Sequence, residues 1–77
     1  MSYTNRVVTN PNLMLGKPVI KGTRITVELI LRKLAEGMTQ DQVLAAYPSL
    51  SNEDVYAALT YASDLIANDE VIIPDAS

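Results

Sequence analysis

The sequence lacks the residues on which most enzyme mechanisms depend. Its 77 residues include no cysteine and no histidine. The missing cysteine excludes disulfides, thiolate nucleophiles and zinc–cysteine sites, and the missing histidine removes the commonest general base and metal ligand. Serine and threonine are present, but no imidazole is there to activate them. We therefore expect no enzyme activity, no catalytic residue, no bound metal and no cofactor.

Long apolar runs and a signal-like start are also missing. No apolar run approaches the ~20 residues of a membrane span, and the first ten residues lack the basic and apolar regions of a secretory signal. Hydrophobic residues make up 48% and charged residues 19%, which is too apolar for a disordered chain. These features predict a folded, cytoplasmic protein without membrane association. Because one core is only marginally sufficient at this length, we expect a homodimer.

The charged residues are divided unevenly between the two halves of the chain. Residues 1–33 hold all six basic residues and one acid, Glu28, for a net charge of +5, whereas residues 34–77 hold eight acids and no base. Such asymmetry is typical of a basic surface for a polyanion and an acidic surface for a basic partner. The alternative is that the two halves attract each other within a monomer or across a dimer.

Two helices are predicted from capping residues and apolar spacing. Thr26 can cap a helix over Val27–Met38, in which apolar residues recur every three or four positions and which Gly37 ends. The segment Thr39–Gln42 has the form of a capping box and opens a second, short helix through Tyr47.

A third helix is the longest predicted element. It opens at Ser51–Asp54, with acids at the positive end of the helix dipole, and runs to about Asn68. Tyr56 and Tyr61 flank its apolar face and are expected at the edge of the core rather than as stacking platforms for bases. The face itself is predicted to hold Val55, Ala58, Leu59, Ala62, Leu65 and Ile66.

The chain before the helices is predicted to be extended, with short segments at Val7–Val8 and Lys17–Lys21. Because the second and third helices are joined by a short connection, we expect a mainly α fold: a three-helix homeodomain-like helix-turn-helix core with an extended N-terminal β arm or hairpin. Any small three-helix bundle would show the same periodicity. Within a single domain, residues 1–25 are assigned to a basic N-terminal arm, 26–68 to the helical core and 69–77 to an acidic C-terminal tail.

The basic N-terminal half holds candidate contacts to nucleic acid. Three cations lie within eight positions around Gly22, where a small residue lets a phosphate approach the backbone, and Thr23 adds a hydroxyl and an N–H. The alternative is a solvated basic loop, since such clusters are common on surfaces. The third helix carries acids and no Lys or Arg, so DNA contacts would come from the arm and the first helix. The candidates are Lys17, Lys21, Gly22, Thr23, Arg24, Arg32 and Lys33.

Four stretches carry a family resemblance: GKPVIKGTRITV at residues 16–27, LAEGMT at 34–39, Tyr47-Pro48, and DVYAALTYA at 54–62. Together they closely resemble the small bacterial domain-of-unknown-function family 433, over about residues 7–66. The resemblance implies an antitoxin of the VapB kind with a homeodomain-like core, often paired with a PIN-like ribonuclease toxin. Leu15 stands before Gly16, where members of that family often carry a second glycine.

The resemblance and the charge pattern together predict an antitoxin-like role. A ribonuclease has a basic groove for RNA, which an acidic helix or tail can occupy as a polyanion mimic with an apolar triplet as anchor. The alternative for the tail is a frayed chain end. The candidate partner-binding residues are Asp64, Asp69, Glu70, Val71, Ile72 and Ile73.

We therefore expect the chain to bind and neutralise a cognate PIN-like toxin, and its basic arm to contact double-stranded DNA at its own promoter. Two alternatives remain open from the residues alone. One is a stand-alone DNA-binding transcriptional regulator without a toxin partner, and the other is a small interaction module with no nucleic-acid role. Salt-sensitive DNA binding without a protein partner would favour the regulator.

Overall fold

The fold is three α-helices preceded by a short two-stranded antiparallel hairpin, as seen in a computed structural model that describes residues 5–69. A 3-10 turn at Met14–Gly16 lies in the loop between the two strands. The mainly helical class and the N-terminal hairpin are as the sequence predicts. The elements are β1 (Val7–Val8), β2 (Val19–Ile20), α1 (Val27–Ala35), α2 (Gln40–Ala46) and α3 (Asn52–Asp69).

The hairpin is tied to the start of α1 by a second pairing. β1 and β2 pair antiparallel, and Val19 of β2 also forms a bridge with Thr26 on its other side. Pro18 comes directly before β2, where a missing N–H breaks no ladder, and its carbonyl accepts the N–H of Val27 at 3.0 Å. β2 is therefore held between β1 and the segment that leads into α1.

Helix α1 begins where the sequence predicts and ends earlier. The Thr26 hydroxyl accepts the N–H of Leu29 at 3.0 Å, which confirms the N-cap. The predicted end at Met38 is wrong, because the helix stops three residues sooner. Gly37 has a φ of +106°, and Met38 donates its N–H to the carbonyl of Lys33 at 3.1 Å. This is the Schellman arrangement that ends helices at a glycine, so the predicted terminator acts one turn earlier than expected.

Helices α2 and α3 both begin at reciprocal side-chain caps. Thr39 Oγ1 accepts the N–H of Gln42 at 3.1 Å, and Gln42 Oε1 accepts the N–H of Thr39 at 2.8 Å, which confirms the capping box. At α3, Asp54 Oδ2 accepts the N–H of Ser51 at 2.9 Å, and Ser51 Oγ accepts the N–H of Asp54 at 3.3 Å. Both helix starts are thus fixed by side chains three residues apart.

The hydrophobic core lies where the hairpin and the three helices meet. β1 contacts α3, and α1 packs against both other helices. Residues of the predicted N-terminal arm therefore share one core with the helices. The buried members are Val7, Ile20, Val27, Ile30, Val43, Leu50, Val55, Ala57 and Ala58.

The predicted apolar face of α3 is buried only in part. Val55 and Ala58 are buried as expected. Leu59, Leu65 and Ile66 are exposed, so their assignment to the core is wrong. Helix α3 has 18 residues and spans about 27 Å, and α1 has nine and spans about 14 Å. Beside the C-terminal half of α3, an open space and not a packed contact separates Leu65 from α1.

Candidate interaction surfaces

The basic turn, residues 21–24, joins β2 to the segment before α1. Gly22 has a φ of +82° with open space around it. The Thr23 hydroxyl donates to the Ile20 carbonyl at 2.8 Å and accepts the N–H of Ile25 at 3.0 Å. The N–H of Thr23 also donates to the Ile20 carbonyl, at 3.0 Å. The two groups of Thr23 that the sequence offers to a phosphate are therefore engaged in closing the turn.

Glu28 pairs with two of the predicted nucleic-acid contacts, one negative charge facing two positive ones. Its carboxylate accepts hydrogen bonds from Lys17 Nζ and from Arg32 Nη2, each at 2.9 Å. The hydrogen bond from Lys17, and after it the one from Arg32, lowers the pKa of the Glu28 carboxyl below its usual value. The carboxylate thus stays charged at neutral pH, and both cations face it.

Two of the predicted nucleic-acid contacts, Lys21 and Arg24, have no ion-pair partner within residues 5–69. Lys33 pairs with Glu36 at 3.7 Å, so it joins Lys17 and Arg32 among the ion-paired cations. Lys21 and Arg24 are exposed, and within residues 5–69 neither forms an ion pair. The cations without an ion-pair partner are therefore fewer than the composition predicts, and both lie in the basic turn.

The ion pair between Arg6 and Asp54 was not predicted. Arg6 Nη1 lies 3.0 Å from Asp54 Oδ1, and the Asp54 side chain is 11% exposed. The sequence indicates a carboxylate at the N-terminus of α3, and the structure adds that it is buried against the chain that leads into β1. No local spacing could have found this pair, because 48 residues separate the partners.

The outer surface of α3 is acidic and apolar. Residues 52–69 contain four acids and no Lys or Arg. Asp64, a predicted partner contact, is exposed, and Leu65 and Ile66 beside it are 56% and 73% exposed. Asp69 is the last residue of α3. The other predicted partner contacts, Glu70, Val71, Ile72 and Ile73, lie outside the described residues.

An apolar groove of about 430 Å³ runs between α1 and the C-terminal half of α3. Glu28 and Arg32 stand at its rim, and Pro18 lines it as well. Tyr61, expected at the edge of the core, packs against the core and also faces this groove. The apolar walls are Val27, Leu31 and Ala35 from α1, and Tyr61, Ala62 and Leu65 from α3.

Leu15 is an exposed apolar residue on a strained backbone. Its side chain is 93% exposed, and its φ and ψ are 59° and 29°. Met14 before it also has a positive φ, 49°. An L-residue in this region costs roughly 1–2 kcal/mol, which glycine would avoid. Because Leu15 buries almost nothing within its own chain, local packing does not offset this strain, and such outliers point to function.

Neither a metal site nor a membrane-spanning segment was found in the part of the chain that the structure describes. Within residues 5–69, no three acidic side chains come together as metal ligands would. In the same range, no helix combines the length and the apolar character needed to cross a bilayer.

The family model described as "Protein of unknown function (DUF433)" matches residues 7–62. This chain belongs to the DUF433 family. The uncharacterized protein y4eO of Sinorhizobium fredii is 36% identical over 56 residues, which are 73% of this chain and 25% of y4eO. A crystal structure of a DUF433 member from Anabaena variabilis is similar with a TM-score of 0.76 and 32% identity, covering 78% of this chain and 59% of that one.

The two relatives are longer than this chain, which spans about a quarter of y4eO and under two thirds of the crystallised DUF433 member. The DUF433 match includes the hairpin, α1, α2 and the first part of α3. Leu15, Glu28 and Asp54 lie inside it, whereas Asp64, Leu65 and Ile66 follow its last residue. The exposed end of α3 is thus outside the region that defines DUF433.

Proposed function

We propose that this DUF433 chain is an antitoxin-like component of a bacterial toxin–antitoxin pair that binds and neutralises a PIN-like ribonuclease. In this role it acts by binding and not by catalysis. Its α2 and α3 would form the helix-turn-helix of a homeodomain-like core, which the short connection between Ala46 and Asn52 supports. The family resemblance suggests the role, and the surface of α3 supports it.

The observation that carries this function is the combination of exposed apolar and acidic side chains on α3. Leu59 and Ile66 are seven residues apart and so lie on the same side of the helix, 41% and 73% exposed. Asp64 adds negative charge nearby, and residues 52–69 contain no cation that would weaken it. Apolar groups of this size left in water are more typical of a contact surface than of a free helix end.

A surface of this kind suits the RNA-binding groove of a nuclease. Such a groove is basic because it holds phosphates, so an acidic helix is attracted to it and competes with RNA. Charge at the rim mainly raises the association rate, whereas buried apolar anchors supply most of the affinity. Ile66 would be such an anchor, and Asp64 would steer the encounter.

The test is affinity capture followed by an inhibition assay. The 77-residue chain carries a tag and is expressed at native level in its own host, and retained proteins are identified by mass spectrometry. A retained PIN-like protein is then purified, and its cleavage of a fluorescent RNA is measured while the chain is added. We expect near-stoichiometric retention and inhibition that is complete at about one chain per ribonuclease chain.

Two variants locate the contact on α3. Ile66→Ala should weaken inhibition by about tenfold or more, as expected for a hot-spot residue, and Asp64→Asn should slow association most strongly at low salt. Asp41→Asn removes an exposed acid from α2 and serves as the matched control, with no change expected. If no ribonuclease is retained by a soluble, folded bait, or if cleavage continues with the chain in excess, the chain is not an antitoxin of this kind.

The predicted contribution of the acidic tail needs a separate variant. A chain truncated after Asn68 lacks Asp69 and the segment with Glu70, Val71, Ile72 and Ile73. If these residues contact the toxin, truncation should raise the concentration needed for half-inhibition. Unchanged inhibition would mean that the tail does not contact the toxin and that α3 provides the contact by itself.

A second candidate function, binding of double-stranded DNA, is favoured by the basic turn. Lys21 and Arg24 are exposed there without a compensating acid in residues 5–69. Replacing both by alanine should abolish a gel shift of promoter DNA at low salt, because phosphate contacts supply most non-specific affinity. Lys33→Ala is the control, since Glu36 already compensates that cation. A shift that persists in the double variant would rule out this surface.

A further inference from the structure

The apolar groove is unfilled and the Leu15 side chain is not buried, and the two lie close together in one chain. The groove lies open between α1 and α3, with apolar walls. Leu15 is a large apolar side chain that is almost fully exposed. Only two residues separate Leu15 from Pro18, which lines the groove. Leu15 therefore lies within about 11 Å of the groove along the chain, because each residue spans at most ~3.6 Å.

The loop that carries Leu15 is fastened beside the groove and not inside it. Lys17, two residues further along, bonds to Glu28 at the groove rim. Pro18 is fixed by the bond from its carbonyl to the N–H of Val27. These anchors hold the loop at the edge of the groove while its leucine stays 93% exposed. Leu15 thus does not fill the groove of its own chain.

We propose that the groove of each chain is filled by Leu15 of a second copy, so that two copies form a two-fold symmetric dimer. In such an interface both chains use the same surface, so each chain supplies a protruding side chain, Leu15, and the groove that receives the leucine of the other chain. Leu15 and the groove lie side by side on each chain. A two-fold axis can therefore place each leucine in the groove of the other chain, which gives two equivalent contacts. The left-handed backbone at Met14 and Leu15 projects the leucine away from its own chain.

Charge complementarity favours a second copy of this chain as the occupant. Within residues 5–69, Lys21 and Arg24 of the N-terminal segment form no ion pair, and Glu53 and Asp64 of α3 are exposed and form none either. When the N-terminal loop of one copy approaches the α3 wall of the other, opposite charges meet. A symmetric contact of α3 against α3 would instead bring acidic helices together.

The test is the oligomeric state of the full-length chain and of two variants, measured by sedimentation equilibrium. We expect the wild type to sediment as a dimer, at twice the chain mass of 8.4 kDa. Leu15→Gly removes the anchor and relaxes a positive φ, so it should raise the dimer Kd at least tenfold without lowering the thermal stability of the monomer. Ala35→Arg places a charged side chain at the groove and should raise the Kd by a similar factor. Circular dichroism checks that both variants fold.

Mixing the two variants separates this interface from other uses of the groove. The Leu15→Gly copy keeps an intact groove and the Ala35→Arg copy keeps an intact leucine. A mixed dimer therefore restores one of two contacts, and the mixture should contain more dimer than either variant alone. Tyr56→Ala, which removes an exposed side chain of α3 that does not line the groove, is the control and should dimerise as the wild type does.

Three results would overturn this interface. The wild type could be a monomer at several hundred micromolar, Leu15→Gly could dimerise unchanged, or the mixture could show no gain over the separate variants. If the wild type is a monomer, or if Leu15→Gly has the dimer Kd of the wild type, Leu15 of a second copy does not fill the groove. The interface does not depend on the antitoxin role, since no ribonuclease enters these measurements.

Discussion

Replacing Ile30 by alanine is expected to lower the free energy of unfolding by about 3–4 kcal/mol. Ile30 is 1% exposed, on the face of α1 that packs into the core. The truncation removes three buried carbons and leaves a cavity that the fixed ends of α1 cannot close. A chain of 77 residues has a total stability of roughly 4–12 kcal/mol. The variant would therefore lose a large part of its stability.

The measurement is urea unfolding followed by circular dichroism at two protein concentrations, because dimerisation would make the midpoint concentration-dependent. Leu29→Ala is the matched control, since Leu29 neighbours Ile30 on α1 but is only partly buried. We expect it to cost about 1 kcal/mol or less. Equal losses for both variants would mean that α1 does not bury the face seen in the structure.

The helix starts could be predicted because their determinants are local. A Thr, Ser or Asp side chain caps N–H groups two or three residues away, so Thr26, Thr39 and Ser51 identify their helices without any tertiary knowledge. The end of α1 is not fixed by local sequence alone. Gly37 marks the stop, but whether it lies inside the last turn or beyond it depends on the φ that the residue adopts.

The outer half of α3 could not be predicted because its apolar spacing continues past the core. The positions of Leu65 and Ile66 fit the helical period as well as those of buried residues do. What differs is whether another helix reaches them, and this depends on the lengths of α1 and α2 after folding. The groove could not be predicted for the same reason, because it depends on how α1 and α3 lie side by side after folding.

The sequence locates the charges of the candidate surfaces but does not show which of them form ion pairs. Composition places the cations in the N-terminal half, yet it cannot show that Lys17 and Arg32 share one carboxylate. The i,i+4 spacing of Glu28 and Arg32 indicates one of these pairs. The pair between Lys17 and Glu28 requires the hairpin to fold against α1. The DUF433 membership followed from motifs in residues 16–62, and the antitoxin role stays a prediction.

Replacing Asp54 by alanine is expected to lower the free energy of unfolding by about 2–3 kcal/mol. Its carboxylate accepts the N–H of Ser51 at 2.9 Å and the guanidinium of Arg6 at 3.0 Å. The variant loses a helix cap worth about 1 kcal/mol and breaks an ion pair that is buried on the carboxylate side. Losing a fully buried pair costs about 3–5 kcal/mol. Here the cost is smaller, because Arg6 is 41% exposed and water can solvate it.

A double-mutant cycle with Arg6→Ala separates the ion pair from the cap. Arg6→Ala leaves the bond between Asp54 and Ser51 intact, so it should cost less than Asp54→Ala. A coupling energy of about 1 kcal/mol or more between the two changes is expected for charges in contact. Glu53→Ala is the matched control, because Glu53 lies in the same helical turn and is exposed. Chemical denaturation of the four variants gives all the energies required.

The cycle also tests how the hairpin is held on the helices. Arg6 directly precedes β1, and β1 contacts α3, so the ion pair with Asp54 fastens the first strand to the longest helix. β1 and β2 in turn carry the loop with Leu15 between them. If the coupling is absent, the hairpin must be held by Val7 and Ile20 in the core alone. If it is present, an acid at the start of α3 keeps in place the loop that we propose binds the second copy.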